Sequence, residues 1–231
     1  MSDTPASPQK TPGFDWAIYA DATFAGLAVL IPIPLLDLLV EWVFKRRMPA
    51  AIARRHDIDI DWRVVRELNR GRFGCWPGCL VWPVLLIFEF LKRLYRTVLY
   101  FLTIKSATDQ LSYYWHRAFL LDHMLRRGDL TATLDRATVA AHAMDTVLRQ
   151  SATSPLLQLA RQVIDGVSHL LRTAWGWVRR RQEDEVMVST RQRMARAWSD
   201  FDDYFATIAI EYDAVFEQFM REAAAAPDTM P

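Results

Sequence analysis

The chain has 231 residues, enough to bury a substantial core, and sets 28 basic against 27 acidic side chains for a formal net charge of +1. That balance removes the general electrostatic argument for a nucleic-acid partner, which needs a basic excess to displace counterions from phosphates. Hydrophobic residues make up 52% of a chain that is also 24% charged, so they are gathered in blocks, and only eight glycines with few alternating runs exclude a sheet-rich fold. The expected class is all-α.

The first residues, 1–13, are Ser, Pro, Asp and Lys without apolar periodicity and read as a disordered tail, not a signal peptide. An apolar block then runs from Ala22 to Val40 and continues through Trp42, Val43 and Phe44 to the basic run Lys45, Arg46 and Arg47. It reaches the length of about 20 apolar residues that a helix needs to span a bilayer. Asp37 interrupts it, and Pro32 and Pro34 each remove a helical N–H. The block therefore reads as a broken or re-entrant pair of helices rather than one rod, with a proline-bent core helix as the alternative. Trp42, Lys45, Arg46 and Arg47 form an aromatic and basic anchor of the kind found at membrane interfaces.

Residues 49–72 are polar, and a second apolar block opens at Cys75 as CWPGCLVWPVLLIF, in which Trp76 and Trp82 are further interface candidates. Cys75 and Cys79 are too few for a structural zinc site and lack the spacing of a redox pair. Glu89, Lys92, Arg93 and Arg96 then recur at steps that place them on one helical stripe, which suits a helix lying at a membrane surface or packed in a bundle.

The remainder is charged and amphipathic. Ser106 to Asp109 resembles a capping box, opening a helix to about Arg127 with Gly128 as its stop. A second helix is expected from Thr131 to Gln150, and Ser154-Pro155 reads as an N-cap followed by a first helical position. An apolar seam follows at Leu156, Ala160, Val163, Val167, Leu170 and Ala174. A further one, out of phase, includes Met187, Met194, Trp198, Phe201, Phe205, Ile208, Tyr212 and Phe219. The phase change predicts a helical hairpin turning near Gln182 to Asp184, with Phe201, Phe205, Ile208, Tyr212 and Phe219 as an interaction seam.

Chemistry-bearing groups are sparse. His116, His123 and His142, with Asp109 and Asp145, would make a bundle metal site if they converged, although no Glu-x-x-His repeat is present. Arg117 and His123 resemble the Arg-to-His spacing of helical ribonuclease-like toxins. Glycine loops for phosphates and a Gly-x-Ser-x-Gly elbow are absent from the sequence. No catalytic residue and no cofactor is assigned.

From Ala20 to Ile60 the order of a small-residue helix, Ile31-Pro32-Ile33-Pro34, Asp37 and an amphipathic helix ending at Arg55-His56-Asp57-Ile58 resembles the membrane-hairpin segments of EcsC-like proteins and of domains appended to some bacterial GTPases. The resemblance implies membrane association and carries over no catalytic residue. The sequence thus predicts a membrane-associated helical region over 14–105, a charged amphipathic bundle or long hairpin over 106–224, and a tail over 225–231. The expected function is a non-enzymatic interaction or scaffolding module, and the alternative is a membrane-anchored enzyme or metal protein. Its expected partners are membrane lipid and a protein or second copy bound through the C-terminal helices, with no nucleic acid. The scarcity of lysine beside an excess of alanine and arginine points to GC-rich codons and a bacterial source, and the expected location is a bacterial inner membrane.

Overall fold

The computed structural model describes residues 14–30, 36–69, 96–150, 154–167 and 185–225, and every regular element among them is helical. Helix α1 spans Trp16–Leu27 and passes into a 3-10 turn at Ala28–Leu30; α2 is Leu36–Arg55 and α3 is Trp62–Leu68. Next come α4 at Arg96–Arg127, α5 at Leu134–Gln150 and α6 at Leu156–Val167. After α7 at Glu185–Trp198, a 3-10 turn at Ser199–Phe201 leads into α8 at Asp202–Ala225.

Local chemistry sets the helix ends. Asp15 and Asp61 accept from the backbone N–H of Ala17 and Arg63, and Thr133 and Ser154 accept from those of Arg136 and Leu156, so four helix starts carry side-chain caps. Helix α4 stops where Gly128 takes φ 76°, its N–H donating to the Leu125 carbonyl while that of Asp129 donates to Met124. These are the two bonds of a Schellman turn. Asp57, at φ 55°, closes α2 with the same pair of bonds to Arg54 and Ala53.

Helix α1 lies at the centre of the N-terminal packing. Ile18, Tyr19, Asp21, Ala22, Thr23, Ala25 and Gly26 are all buried, so α1 is enclosed on nearly every side. Its pairing with α2 is antiparallel, because Phe24 stacks on Phe44, Asp21 meets Arg47 and Asp15 meets Arg55, one index falling as the other rises. Against α4 it is antiparallel again, with Gly26 against Leu111 and Thr23 accepting from the Trp115 indole N–H at 3.0 Å. Helix α8 runs alongside α4 in the same direction, from His116 with Tyr204 to Arg127 with Glu217. The buried residues from Ile18 to Phe216 form one core.

These contacts revise several expectations. The Ala22 to Phe44 block is broken as expected, with α1 ending at Leu27 and α2 beginning at Leu36, but Ala22, Ala25 and Ala28 are enclosed by protein. Among the described residues no helix is long and apolar enough to cross a membrane. The boundary expected between residues 105 and 106 falls inside α4, which starts before the expected capping box. Most of the second apolar block and the expected turn at Gln182 to Asp184 lie outside the described residues. Helices α6 and α7 nevertheless pack on each other, whereas a straight rod would hold Val167 and Glu185 about 27 Å apart. The later seam is itself divided at Ser199–Phe201. Met194 and Trp198 turn towards Thr23 and Tyr19, while Phe205 meets Phe119 of α4.

A Cβ added at Gly26 would stand 2.6 Å from Leu111 Cα, a distance that side-chain rotation cannot relieve. Gly26→Ala is expected to destabilise the protein by about 1–3 kcal/mol, the usual cost of overpacking, measured as a lower urea midpoint at unchanged slope.

Candidate functional site

Two kinds of feature stand out, an exposed face on α2 and a set of buried polar clusters along α4. Leu39, Trp42 and Val43 are 55%, 50% and 42% exposed, three of the six large hydrophobic side chains exposed among the described residues. Steps of three and four place them on one stripe of α2. Arg46, one turn further on, lies over the Trp42 ring at 5.3 Å. Of the expected interface residues, Trp42, Arg46 and Arg47 are exposed, and Arg47 holds Asp21 at 3.2 Å. Lys45 faces inward at 5% exposure, because its position puts it on the side of α2 that carries Met48 and Ile52. Trp76 and Trp82 lie outside the described residues. Leu39 was missed in the sequence, although its spacing from Trp42 and Val43 contains the signal.

Along α4 the buried polar groups join neighbouring helices. His116 Nδ1 is 2.7 Å from the Ser112 carbonyl, which can only accept, so Nδ1 carries the proton and Nε2 accepts from the Tyr204 hydroxyl at 2.7 Å. Burial holds the His116 pKa below its ordinary value, in keeping with this neutral ring. Arg117, only 1% exposed, donates to the Leu68 carbonyl at 2.6 Å at the negative end of α3. Its Nε finds no acceptor among the described residues. Asp122 receives His56 Nε2 at 2.6 Å and also Arg126.

Around Asp129 the cluster is denser. The Schellman turn puts this fully buried carboxylate where Arg136 donates to Oδ1 at 2.6 and 3.1 Å, and where the Tyr212 hydroxyl and Arg127 reach Oδ2 at 3.1 and 3.2 Å. Arg127 continues to Asp213 at 2.5 Å, and both arginines lie over the Phe216 ring at 5.5 and 4.8 Å. Burial, with the Asp129 charge beside it, drives the Tyr212 pKa upward, so the hydroxyl stays a donor. Three helices, α4, α5 and α8, meet here through one anion.

The metal and nuclease groupings that the sequence spacing leaves open as alternatives do not form among the described residues. His116 faces Tyr204, His123 Nε2 donates to the Asp213 carboxylate at 2.8 Å, and His142 is exposed on α5. No group of three His, Cys, Asp or Glu side chains among the described residues is placed to hold a metal ion. Arg117 reaches α3 while His123 reaches α8, so the two do not act on one phosphate. The interaction seam is engaged within the chain: Phe205, Ile208 and Tyr212 are buried, and Phe201 and Phe219 pack partly buried against the core. What α8 leaves outward is narrower, with Ile210 68% exposed.

No family model matches the chain, and neither a curated protein nor a solved structure is detectably similar to it.

Removing the Asp129 carboxylate strands the donors of three side chains. Asp129→Ala is expected to cost about 1–3 kcal/mol by chemical denaturation, limited by the partial exposure that lets Arg127 and Arg136 regain water. Asp213→Ala, at a half-exposed position, should cost less than about 1 kcal/mol. His116 supplies a pH dependence of definite sign. Its folded pKa lies below the ordinary 6.5, so as the pH falls through that value the unfolded chain takes up a proton that the folded one declines. Stability should therefore be full above pH 6.5 and decline below it, until the folded pKa is reached. His56, held low by burial with Arg126 and Arg55 beside it, adds to the same slope. In urea titrations at a series of pH values, His116→Gln is expected to show a shallower acid decline than the wild type.

Proposed function

We propose that the chain is a non-enzymatic interaction module that works at a membrane surface, a helical bundle docking through the outward face of α2. The observation that carries this reading is the Leu39, Trp42 and Val43 stripe, exposed on a helix whose other face is packed into the core, with Arg46 one turn along. A large apolar side chain left in water forfeits about 1.5–3 kcal/mol relative to full burial, so a cluster of three on one face is a site seeking a cover. A ring followed by a cation is the order found where protein meets lipid headgroups. The resemblance of residues 20–60 to the membrane hairpins of EcsC-like proteins supports the same reading, and the composition points to a bacterial source, for which the membrane would be the inner one.

The alternative, an enzyme or metal protein built on the histidines of α4 and α5, has less support. His116, Arg117, Asp122, His123 and Asp129 each hold one helical segment to another. A protein partner or second copy on the C-terminal helices would have to use what α8 leaves outward around Ile210, and not the buried seam.

The test is flotation of the full chain with phospholipid vesicles on a density gradient. Wild-type protein is expected to float, and a Leu39→Ser, Trp42→Ser, Val43→Ser variant to partition about tenfold less or weaker, since each half-exposed side chain loses roughly 0.5–1 kcal/mol of burial. Unchanged helix content by circular dichroism would show that the variant still folds. A variant that floats like the wild type would overturn the assignment of the face.

A further inference from the structure

Resting on the membrane reading, the chemistry of the α2 face narrows what kind of lipid it meets. Along the stripe the groups change in a fixed order: Leu39 first, then the Trp42 ring beside Val43, then the Arg46 guanidinium over that ring at 5.3 Å. Apolar carbon, amphipathic ring and cation follow one another as acyl chain, glycerol region and phosphate do across a lipid interface. A guanidinium lying over a ring face keeps its N–H fork open at the edge, which suits two oxygens of one phosphate.

The neighbouring charges favour an anion at this point. Lys45 is buried and Arg47 is held by Asp21, which leaves Arg46 as the cation of the run that accompanies the stripe. Glu41 accepts from the Tyr114 hydroxyl at 2.5 Å and so is turned towards α4. Asp57, Asp59 and Asp61 are exposed beyond the end of α2. At 1.5 Å per residue, Asp57 stands about 16 Å along the helix from Arg46, further than the Debye length of about 8 Å at physiological salt. The acidic loop is screened at Arg46.

We propose that the α2 face selects anionic phospholipid, with Trp42 seated at the interface and Arg46 binding the headgroup phosphate. The chain carries its own control in Trp62 and Arg66 of α3, where the cation again lies over a ring, at 4.8 Å, and the ring is 63% exposed. Relative to that ring the positions that match Leu39 and Val43 are Asp59 and Arg63, both exposed, while Ile58, Ile60 and Val64 pack towards the core. The pair is the same but the apolar stripe is missing.

The experiment uses the full chain and two vesicle preparations, phosphatidylcholine alone and phosphatidylcholine with one third phosphatidylglycerol. Wild-type protein is expected to bind the anionic vesicles about fivefold more tightly or better, the gain of one arginine at a charged lipid surface. Arg46→Gln should lose that preference and keep its binding to phosphatidylcholine, while Arg66→Gln should retain the preference. Equal wild-type affinity for both preparations would overturn the lipid selectivity and leave the membrane reading standing. A preference that survives in Arg46→Gln, or is lost in Arg66→Gln, would overturn the assignment to Arg46. Binding to neither preparation would overturn the membrane reading and the selectivity with it.

Discussion

The close approach of α1 to α4 at Gly26 fixes most of what surrounds it. Leu111 comes so near the Gly26 backbone that hydrogen alone fits in the gap, and Ala22 and Ala25 keep the same helix narrow. A narrow helix can be enclosed. With α4 against one side, α2 lies antiparallel on another, and Trp198 closes a third by meeting the Tyr19 ring at 4.2 Å. The buried hydroxyl of Thr23 shows how completely α1 is surrounded. It donates to the Tyr19 carbonyl and accepts from the Trp115 indole, so a polar atom in the core is satisfied twice by protein.

Against this apolar centre the polar clusters of α4 act as register marks. Hydrophobic contact is non-directional and would tolerate a helix sliding by a turn, whereas a buried carboxylate held by three side chains does not. Asp129 ties the end of α4 to Arg136 of α5 and Tyr212 of α8, and Asp122, in the last two turns of α4, ties it to His56 just past the end of α2. Arg117 fastens α3 by the carbonyl of its last residue, Leu68. Each is costly to bury alone and stable only in one arrangement of its neighbours. The polar residues of α4 that resemble a catalytic set in the linear sequence are thus distributed over different contacts.

How much of this was legible in the sequence depends on whether a feature is local. The all-α class, the stop at Gly128, the Ser154 cap and the packing of α6 against α7 follow from short-range signals, and the structure contains them. The nature of the medium around an apolar helix is not local. Ala22, Ala25 and Leu39 belong to one hydrophobic run, yet the first two are enclosed by α2 and α4 while Leu39 is exposed, and periodicity does not distinguish lipid from a neighbouring helix. The seam from Met194 to Phe219 was visible as a seam, but its partners, Tyr19 and Thr23 for one part and Phe119 for another, are distant in sequence. Likewise His116 and His123 share a face of α4, and only the fold shows that Tyr204 and Asp213 occupy that face.

Helix α2 joins the two themes, because its halves have different neighbours. From Arg47 onward it is clamped: Met48, Ile52 and Ala53 are buried, and two ion pairs to Asp21 and Asp15 bind it along α1. Before Arg47 the outward side of the helix is uncovered, although Phe44 stacks on Phe24 and Glu41 reaches Tyr114 on the inward side. The surface contact proposed at Leu39 to Arg46 would therefore be presented by a helix already held in place. Binding there need not order the backbone, which would otherwise take roughly 1–2 kcal/mol per residue from the affinity. The same clamp connects the exposed face to the core through one rigid element, because Arg47 and Arg55 tie α2 to Asp21 of the enclosed α1 and to its capping residue Asp15.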